Sequence, residues 1–167
     1  MKTVLYMAVT INGLIAKEDD NTDFTTQIEW GSFFAKIKEC RNVIMGHRTY
    51  EIMKAAGNLE ELKDIEIVVI SHEKGIPNAD LADSLQSALT ILKGKGYEQA
   101  LVAGGGMTNG EFMQARLIDE IFIDVEPFAM GKGIKLFGDA DFEAKLELLG
   151  TKMLSPNEIQ LHYKVIR

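Results

Sequence analysis

Val102-Ala103-Gly104-Gly105-Gly106-Met107-Thr108 is the stretch from which the fold can be read. A short apolar run, residues 100–103, meets three consecutive glycines; Thr108-x-x-Glu111 then reads as the cap of a helix that buries Phe112, Met113 and Ala115. Strand, glycine turn and helix together can close on a phosphate. Glycine lets the backbone approach a ligand, and a helix N-terminus presents unpaired N–H groups with partial positive charge. The same residues would also serve as a plain tight turn. The dinucleotide fingerprint G-x-G-x-x-G fails at Asn109, although Asp124 lies about 20 residues on, where that fingerprint wants an acid. The chain beyond the turn also changes pattern instead of supplying a second βαβ half. A different dinucleotide-binding fold is expected.

Working outward, residues 3–9, 43–45 and 65–70 are further compact apolar runs, rich in β-branched residues and barely alternating. That pattern suits strands buried on both faces of a sheet. Helical patterns lie between them. Thr26-x-x-Glu29 reads as a capping box leading into Trp30, Phe33, Phe34 and Ile37, the stripe of an amphipathic helix. Ser84 caps another, with Leu85, Ala88, Leu89 and Leu92 inward and Gly94 and Gly96 ending it. The last third differs: residues 121–125 are strand-like, and residues 159–165 alternate with period two, as a strand with one wet face does. Residues 145–149 are its expected partner across a Ser155-Pro156-Asn157 turn. The expectation is one α/β domain over residues 1–167, with a parallel front and an antiparallel tail.

The whole-chain counts narrow the function. The 167 residues are 46% hydrophobic and 26% charged, with a net charge of −7, which argues against a general nucleic-acid binder. The lone Cys40 excludes an internal disulfide and the paired-cysteine zinc site of nucleobase deaminases. His47, His72 and His162 lack metal-ligand spacing, so no metal centre is expected. No run approaches the roughly 18 apolar residues of a membrane span, and a cytoplasmic location is expected.

Two more strand ends are polar in the same way as the glycine turn. The run ending at Gly46 leads into His47, Arg48 and Thr49, with a helix expected to begin near Thr49. N–H groups, a guanidinium and a hydroxyl there would receive an anion. Ser71 and Lys74 follow the next run and could contact a second phosphate. Ligands of open α/β sheets bind outside the carboxyl ends of strands, which makes the three ends more persuasive together.

Three segments carry a resemblance: Ala8-Val9-Thr10-Ile11-Asn12-Gly13-Leu14-Ile15-Ala16, Val43-Ile44-Met45-Gly46-His47-Arg48-Thr49-Tyr50-Glu51, and Val102-Ala103-Gly104-Gly105-Gly106. In order and spacing they resemble the dihydrofolate-reductase-like fold. The segments Leu117-Ile118-Asp119-Glu120-Ile121 and Pro127-Phe128-Ala129-Met130-Gly131-Lys132-Gly133-Ile134-Lys135-Leu136-Phe137 are more similar to the reductase domain of bacterial riboflavin biosynthesis, the C-terminal half of the deaminase-reductase. The resemblance implies a three-layer sandwich with a mixed, mostly parallel sheet of about eight strands and an antiparallel C-terminal hairpin. It also implies an NADPH-dependent reductase, commonly a homodimer, acting on a small ribosylaminopyrimidine-like substrate. Carried over, Ala8, Ile15 and Ala16 border the nicotinamide. Gly46, His47, Arg48 and Thr49, with Ser71, hold the adenosine side and its 2′-phosphate. Gly104, Gly105, Gly106, Met107 and Thr108 cradle the pyrophosphate. The residues themselves agree on the extra phosphate, because basic and hydroxyl groups stand where an NAD ribose usually meets an acid.

The sequence departs from its relatives at the substrate. The riboflavin-type proteins usually show Asp-Gly in the first loop; here Asn12-Gly13 stands there, and Asn12 can hydrogen-bond a substrate but carries no charge. A dihydrofolate reductase places a carboxylate on its first helix. That place falls at or beside Trp30, a candidate to stack on a planar substrate, and leaves Glu29 as the nearest acid. Glu29 is expected instead to serve as the capping partner of Thr26 and to miss the pocket. No catalytic side chain is assigned. A true dihydrofolate reductase and a non-catalytic nucleotide-binding module stand as alternatives.

Overall fold

The computed structural model describes every residue except Lys74, so the expectation for that lysine lies outside the described residues. Along the chain, the first half contains β1 (Lys2–Thr10), β2 (Leu14–Ala16), α1 (Gln27–Cys40), β3 (Asn42–Gly46), α2 (His47–Ala55) and a 3-10 turn (Asn58–Leu62). Then follow β4 (Glu66–Ile70), β5 (Asp80–Ala82), α3 (Leu85–Gly94), β6 (Gln99–Val102) and α4 (Gly106–Gln114). The tail is β7 (Glu120–Glu126), β8 (Ile134–Lys135), β9 (Lys145–Ser155) and β10 (Glu158–Ile166).

Eight strands form one sheet in the order β5-β4-β3-β6-β1-β7-β10-β9. Neighbours from β5 through to β7 pair in parallel, and β10 runs antiparallel to both β7 and β9. β2 and β8 make a separate antiparallel pair. The barely alternating runs are explained by the two cores they serve. Successive residues of a strand point to opposite faces. Val4, Tyr6, Val43, Met45, Val69 and Leu101 therefore pack with Phe33 and Ile37 of α1 and Tyr50 and Met53 of α2. Leu5, Val9, Ile44, Val68 and Val102 pack on the opposite face with Ala88 and Leu92 of α3 and Phe112 of α4. Each fully buried large apolar side chain contributes roughly 1.5–3 kcal/mol, so both faces of the sheet require an apolar cover.

Four local expectations are corrected. α4 begins at Gly106, with Gly105 as its N-cap and no side-chain cap bond, so Thr108 lies inside the first turn. Thr108 packs against Gly46, where a Cβ would come within 2.7 Å of its Oγ1. Ala115 is the exposed C-cap of α4 and is not buried. α2 begins at His47, not near Thr49, with Gly46 as N-cap and again no side-chain cap. In both places the strand passes almost directly into the helix, which leaves no separate residue to act as a capping side chain. β9 continues to Ser155. The short strands β2, β5 and β8 carry too few residues for a periodic signal.

In α1 the buried row is Glu29, Phe33, Ile37 and Cys40, at helical spacing. Trp30 and Phe34 lie at the edge of that core. The helix is thus rotated so that Glu29 occupies the inward position assigned to Trp30 from the sequence. Thr26 accepts a hydrogen bond from the Glu29 N–H at 3.1 Å, one arm of a capping box. The Glu29 carboxyl makes no return bond.

Candidate active site

A cleft of about 1050 Å³ opens at the carboxyl ends of the central strands, between α1, α2 and the turn into α4. One end is built from backbone. α2 and α4 start side by side, tied by the Gly46 N–H donating to the Gly104 carbonyl at 2.8 Å. Gly104 has φ +94°, the left-handed region open to glycine, and the Gly104–Gly105 peptide bond is cis. A Cβ on Gly106 would collide with the carbonyl oxygen of Lys135, so a side chain there would push the turn out of place. Neither first turn carries a side-chain cap or an acidic residue, which leaves unpaired N–H groups and uncancelled positive helix ends beside one another. His47, Arg48, Thr49 and Ser71 surround them. His47 lies 3.9 Å from the Glu51 carboxylate and 3.7 Å from that of Glu73. Arg48 binds Asp20, which belongs to the loop after β2, through Nε at 2.6 Å and Nη2 at 2.5 Å.

The other end has the opposite chemistry. Tyr6, Glu29, Trp30, Phe33 and Met53 line it, and Ala8, Ile15, Ala16 and Ile134 form the apolar middle. The Glu29 side chain belongs to a residue 3% exposed. Burial, followed by the nearby carboxyls of Asp124, Glu126 and Glu158, pushes its pKa up to about 8. Glu29 is therefore a neutral acid at pH 7, able to donate a proton. Tyr6 donates to Asp124 and shares a 2.7 Å hydrogen bond with the Ser32 hydroxyl. Its burial and the Asp124 charge raise its pKa far above the ordinary phenol range, so it stays protonated.

The sequence profile of the RibD C-terminal domain matches residues 2–159. The chain belongs to the RibD C-terminal domain family. It is 32% identical over 175 residues to the uncharacterized protein YwjB of Bacillus subtilis (strain 168), covering 97% of each chain. A putative riboflavin biosynthesis protein from Shewanella sp. PV-4 superposes with a TM-score of 0.83 at 21% identity over 100% of both chains. A dihydrofolate reductase from Enterococcus faecalis, complexed with NADP(H), superposes with a TM-score of 0.75 at 16% identity, covering 99% of this chain and 97% of that one. The fold is dihydrofolate-reductase-like.

In this RibD C-terminal domain the cleft lining brings together Ala8, Ile15, Ala16, Trp30, Gly46, His47, Arg48, Thr49, Ser71, Gly105, Gly106, Met107 and Thr108. Two expected site residues stand outside it. Gly104 is turned away beneath the Met7 side chain. Asn12 is exposed; its side-chain amide donates to the Met130 carbonyl at 2.8 Å and accepts from the Thr10 hydroxyl at 2.9 Å. It ties two loops together. Trp30 lines the cleft while stacking on Phe34 at 5.6 Å between ring centres. Glu29, expected from the sequence to cap Thr26 and miss the pocket, instead lines the cleft, because its row of α1 turns inward; Tyr6 lines it too and was not singled out from the sequence. A signal for Glu29 did exist, since it shares the i, i+4, i+8 row with Phe33 and Ile37. Among the described residues, no group of three or more His, Cys, Asp or Glu side chains is placed to hold a metal ion. No helix among them is long and apolar enough to cross a membrane.

Proposed function

We propose that the protein is an NADPH-dependent reductase that directs hydride to a C=N or C=O carbon of a small heterocyclic substrate, of the ribosylaminopyrimidine type reduced in riboflavin synthesis. One observation carries the reading: two uncapped helix N-termini with Arg48 and His47 open onto the same cleft as a buried, protonated carboxyl. The donor set fits the cofactor. At Gly46, Gly105 and Gly106 a Cβ would press on Thr108, Thr49 and the Lys135 carbonyl, so only glycine lets the two helix starts pack this closely, and the Arg48 guanidinium beside them suits a 2′-phosphate. When bound, NADPH supplies the hydride. The chain's own residues do the rest: the α2 and α4 N–H groups hold the pyrophosphate, Arg48 and His47 hold the 2′-phosphate, and Ala8, Ile15 and Ala16 keep water from the nicotinamide. Glu29 offers a proton to the atom left electron-rich. The reading includes action as a single domain in the cytoplasm, and as a homodimer. The edge strand β9 supports the dimer by exposing Leu146, Leu148 and Met153.

A second reading, a dihydrofolate reductase, is favoured by Glu29, because the carboxyl of the first helix does face the cleft. The test is NADPH titration followed by quenching of the single tryptophan, then NADPH oxidation with ribosylaminopyrimidine phosphate, dihydrofolate and simple aldehydes. Saturable binding and oxidation with the aminopyrimidine are expected. Oxidation with dihydrofolate alone moves the assignment to the second reading, binding without any oxidation leaves a nucleotide-binding module, and no binding up to millimolar NADPH sinks every reductase reading.

A further inference from the structure

Four carboxyl groups meet beneath α1: Glu29 on the helix, Asp124 and Glu126 on β7, and Glu158 at the start of β10. Their residues are 3%, 0%, 0% and 3% exposed. Asp124 and Glu126, two apart on one strand, point to the same face, and the pairing of Gln160 with Asp124 brings the start of β10 alongside. Their hydrogen bonding is uneven. Asp124 accepts from the Tyr6 hydroxyl and from Gln160 Nε2 at 2.8 Å. Glu158 accepts from the Thr26 hydroxyl. Both carboxyl oxygens of Glu126 are buried and, among the described residues, without a hydrogen-bond partner; the Thr26 backbone favours its charged form but is not at bonding geometry. Among the described residues, Tyr6 on β1 and Lys152 on β9 face the cluster from other elements, the latter acting on Asp124.

Four carboxylates cannot all be ionised in such a space. An unpaired buried charge costs several kcal/mol, and neighbouring carboxyls raise one another's proton affinity. The group therefore keeps protons at neutral pH. Burial first, then Glu158 and Asp124, pushes Glu126 up to about 7, beside Glu29 at about 8. Of the four acids, Glu29 alone is among the described lining residues of the cleft.

We propose that Glu126 is a positioning residue for proton delivery: buried in the same acid cluster without a partner of its own, it holds a proton on the Glu29 carboxyl. The proposal rests on the reductase reading and deepens it. When hydride adds to the carbon of a C=N or C=O bond, the electron pair of that bond passes to the heteroatom. The heteroatom takes the proton of Glu29: the Glu29 O–H bond breaks, its electrons remain on the carboxylate, and a new N–H or O–H bond forms. Water in the cleft then returns a proton to Glu29. Ionisation of Glu29 between turnovers is opposed by Glu126, so the carboxyl is rapidly restored to its donating form.

The test reads the proton directly. Carboxyl 13C titration of the cofactor-free protein, labelled at glutamate, is compared between wild type and Glu126→Gln, with Glu126→Leu as second variant should the first not fold. Glu29 is expected to titrate near pH 8 in the wild type. In the variants its midpoint is expected to fall by about one unit or more. The high-pH limb of the NADPH-oxidation profile should move acidward by the same amount. A wild-type midpoint in the ordinary carboxylate range, or one unmoved in the variants while oxidation proceeds, overturns this proposal and leaves the reductase reading standing. The expected titration without NADPH oxidation of any heterocycle overturns the reductase reading, and the delivery role with it.

Discussion

The two ends of the cleft solve opposite electrostatic problems with different materials. The α2/α4 end gathers positive potential with backbone: two helix starts, a glycine turn and the Arg48 guanidinium, which remains largely in water with a side chain 74% exposed. Folding supplies that positive field without burying any charge, because the N–H groups are unpaired in any helix. The α1 end concentrates acids out of water, where Glu29 and Glu126 survive burial by retaining protons. One end can hold a permanent charge because solvent screens it, whereas the other can hold a proton because solvent is kept away.

The largest test of that division is Glu29→Gln, which is expected to lower turnover about 10²–10⁴-fold while leaving NADPH affinity within about twofold. A comparable loss of affinity would show that the two ends are not separate. Next comes stability against pH, measured by urea unfolding. Glu29 and Glu126 have folded pKa values above the ordinary glutamate value, so the folded protein retains protons that the unfolded chain releases. Their contribution is intact near pH 4.5 and below, and it is lost as pH rises through about 7 and 8. Stability rising across that window would break the account of the acid end. Arg48→Ala should weaken NADPH about 30-fold through loss of charge-assisted bonds, with NADH changed less than about twofold; equal losses would remove the 2′-phosphate from this end. The smallest effect is expected from Asp20→Asn. Asp20 occupies Arg48 in an exposed pair, so releasing it should tighten NADPH by only about threefold. Weaker binding instead would mean that the pair holds the loop in its binding position.

The cation end was legible because it is local. Gly104-Gly105-Gly106 and Gly46-His47-Arg48-Thr49 are contiguous segments, and strand-to-helix junctions announce themselves by composition. What could not be read was the helix start at each junction, since a glycine N-cap leaves no side-chain signal and Thr108 and Thr49 looked like better caps. Asn12 looked like a substrate contact from its place beside Gly13, but the Met130 carbonyl, far along the chain, takes up its amide.

The acid end was illegible for another reason. Residues 29, 124, 126 and 158 come from three elements, and nothing local in the sequence links them: Glu29 read as a capping partner, Asp124 as a possible ribose acid, and Glu126 and Glu158 carried no signal. Alternating and near-continuous apolar runs were enough to determine an α/β chain with a parallel front, an antiparallel tail and a glycine turn, because side-chain polarity and backbone freedom act over a few residues. Which row of α1 turns inward was decided by tertiary packing. Adjacent helix positions differ by about 100°, and both the Glu29 and the Trp30 rows carry enough apolar side chains to be buried. The sheet's register then put three more carboxyls under the buried row, and only their shared exclusion from water turned Glu29 from a capping residue into an acid.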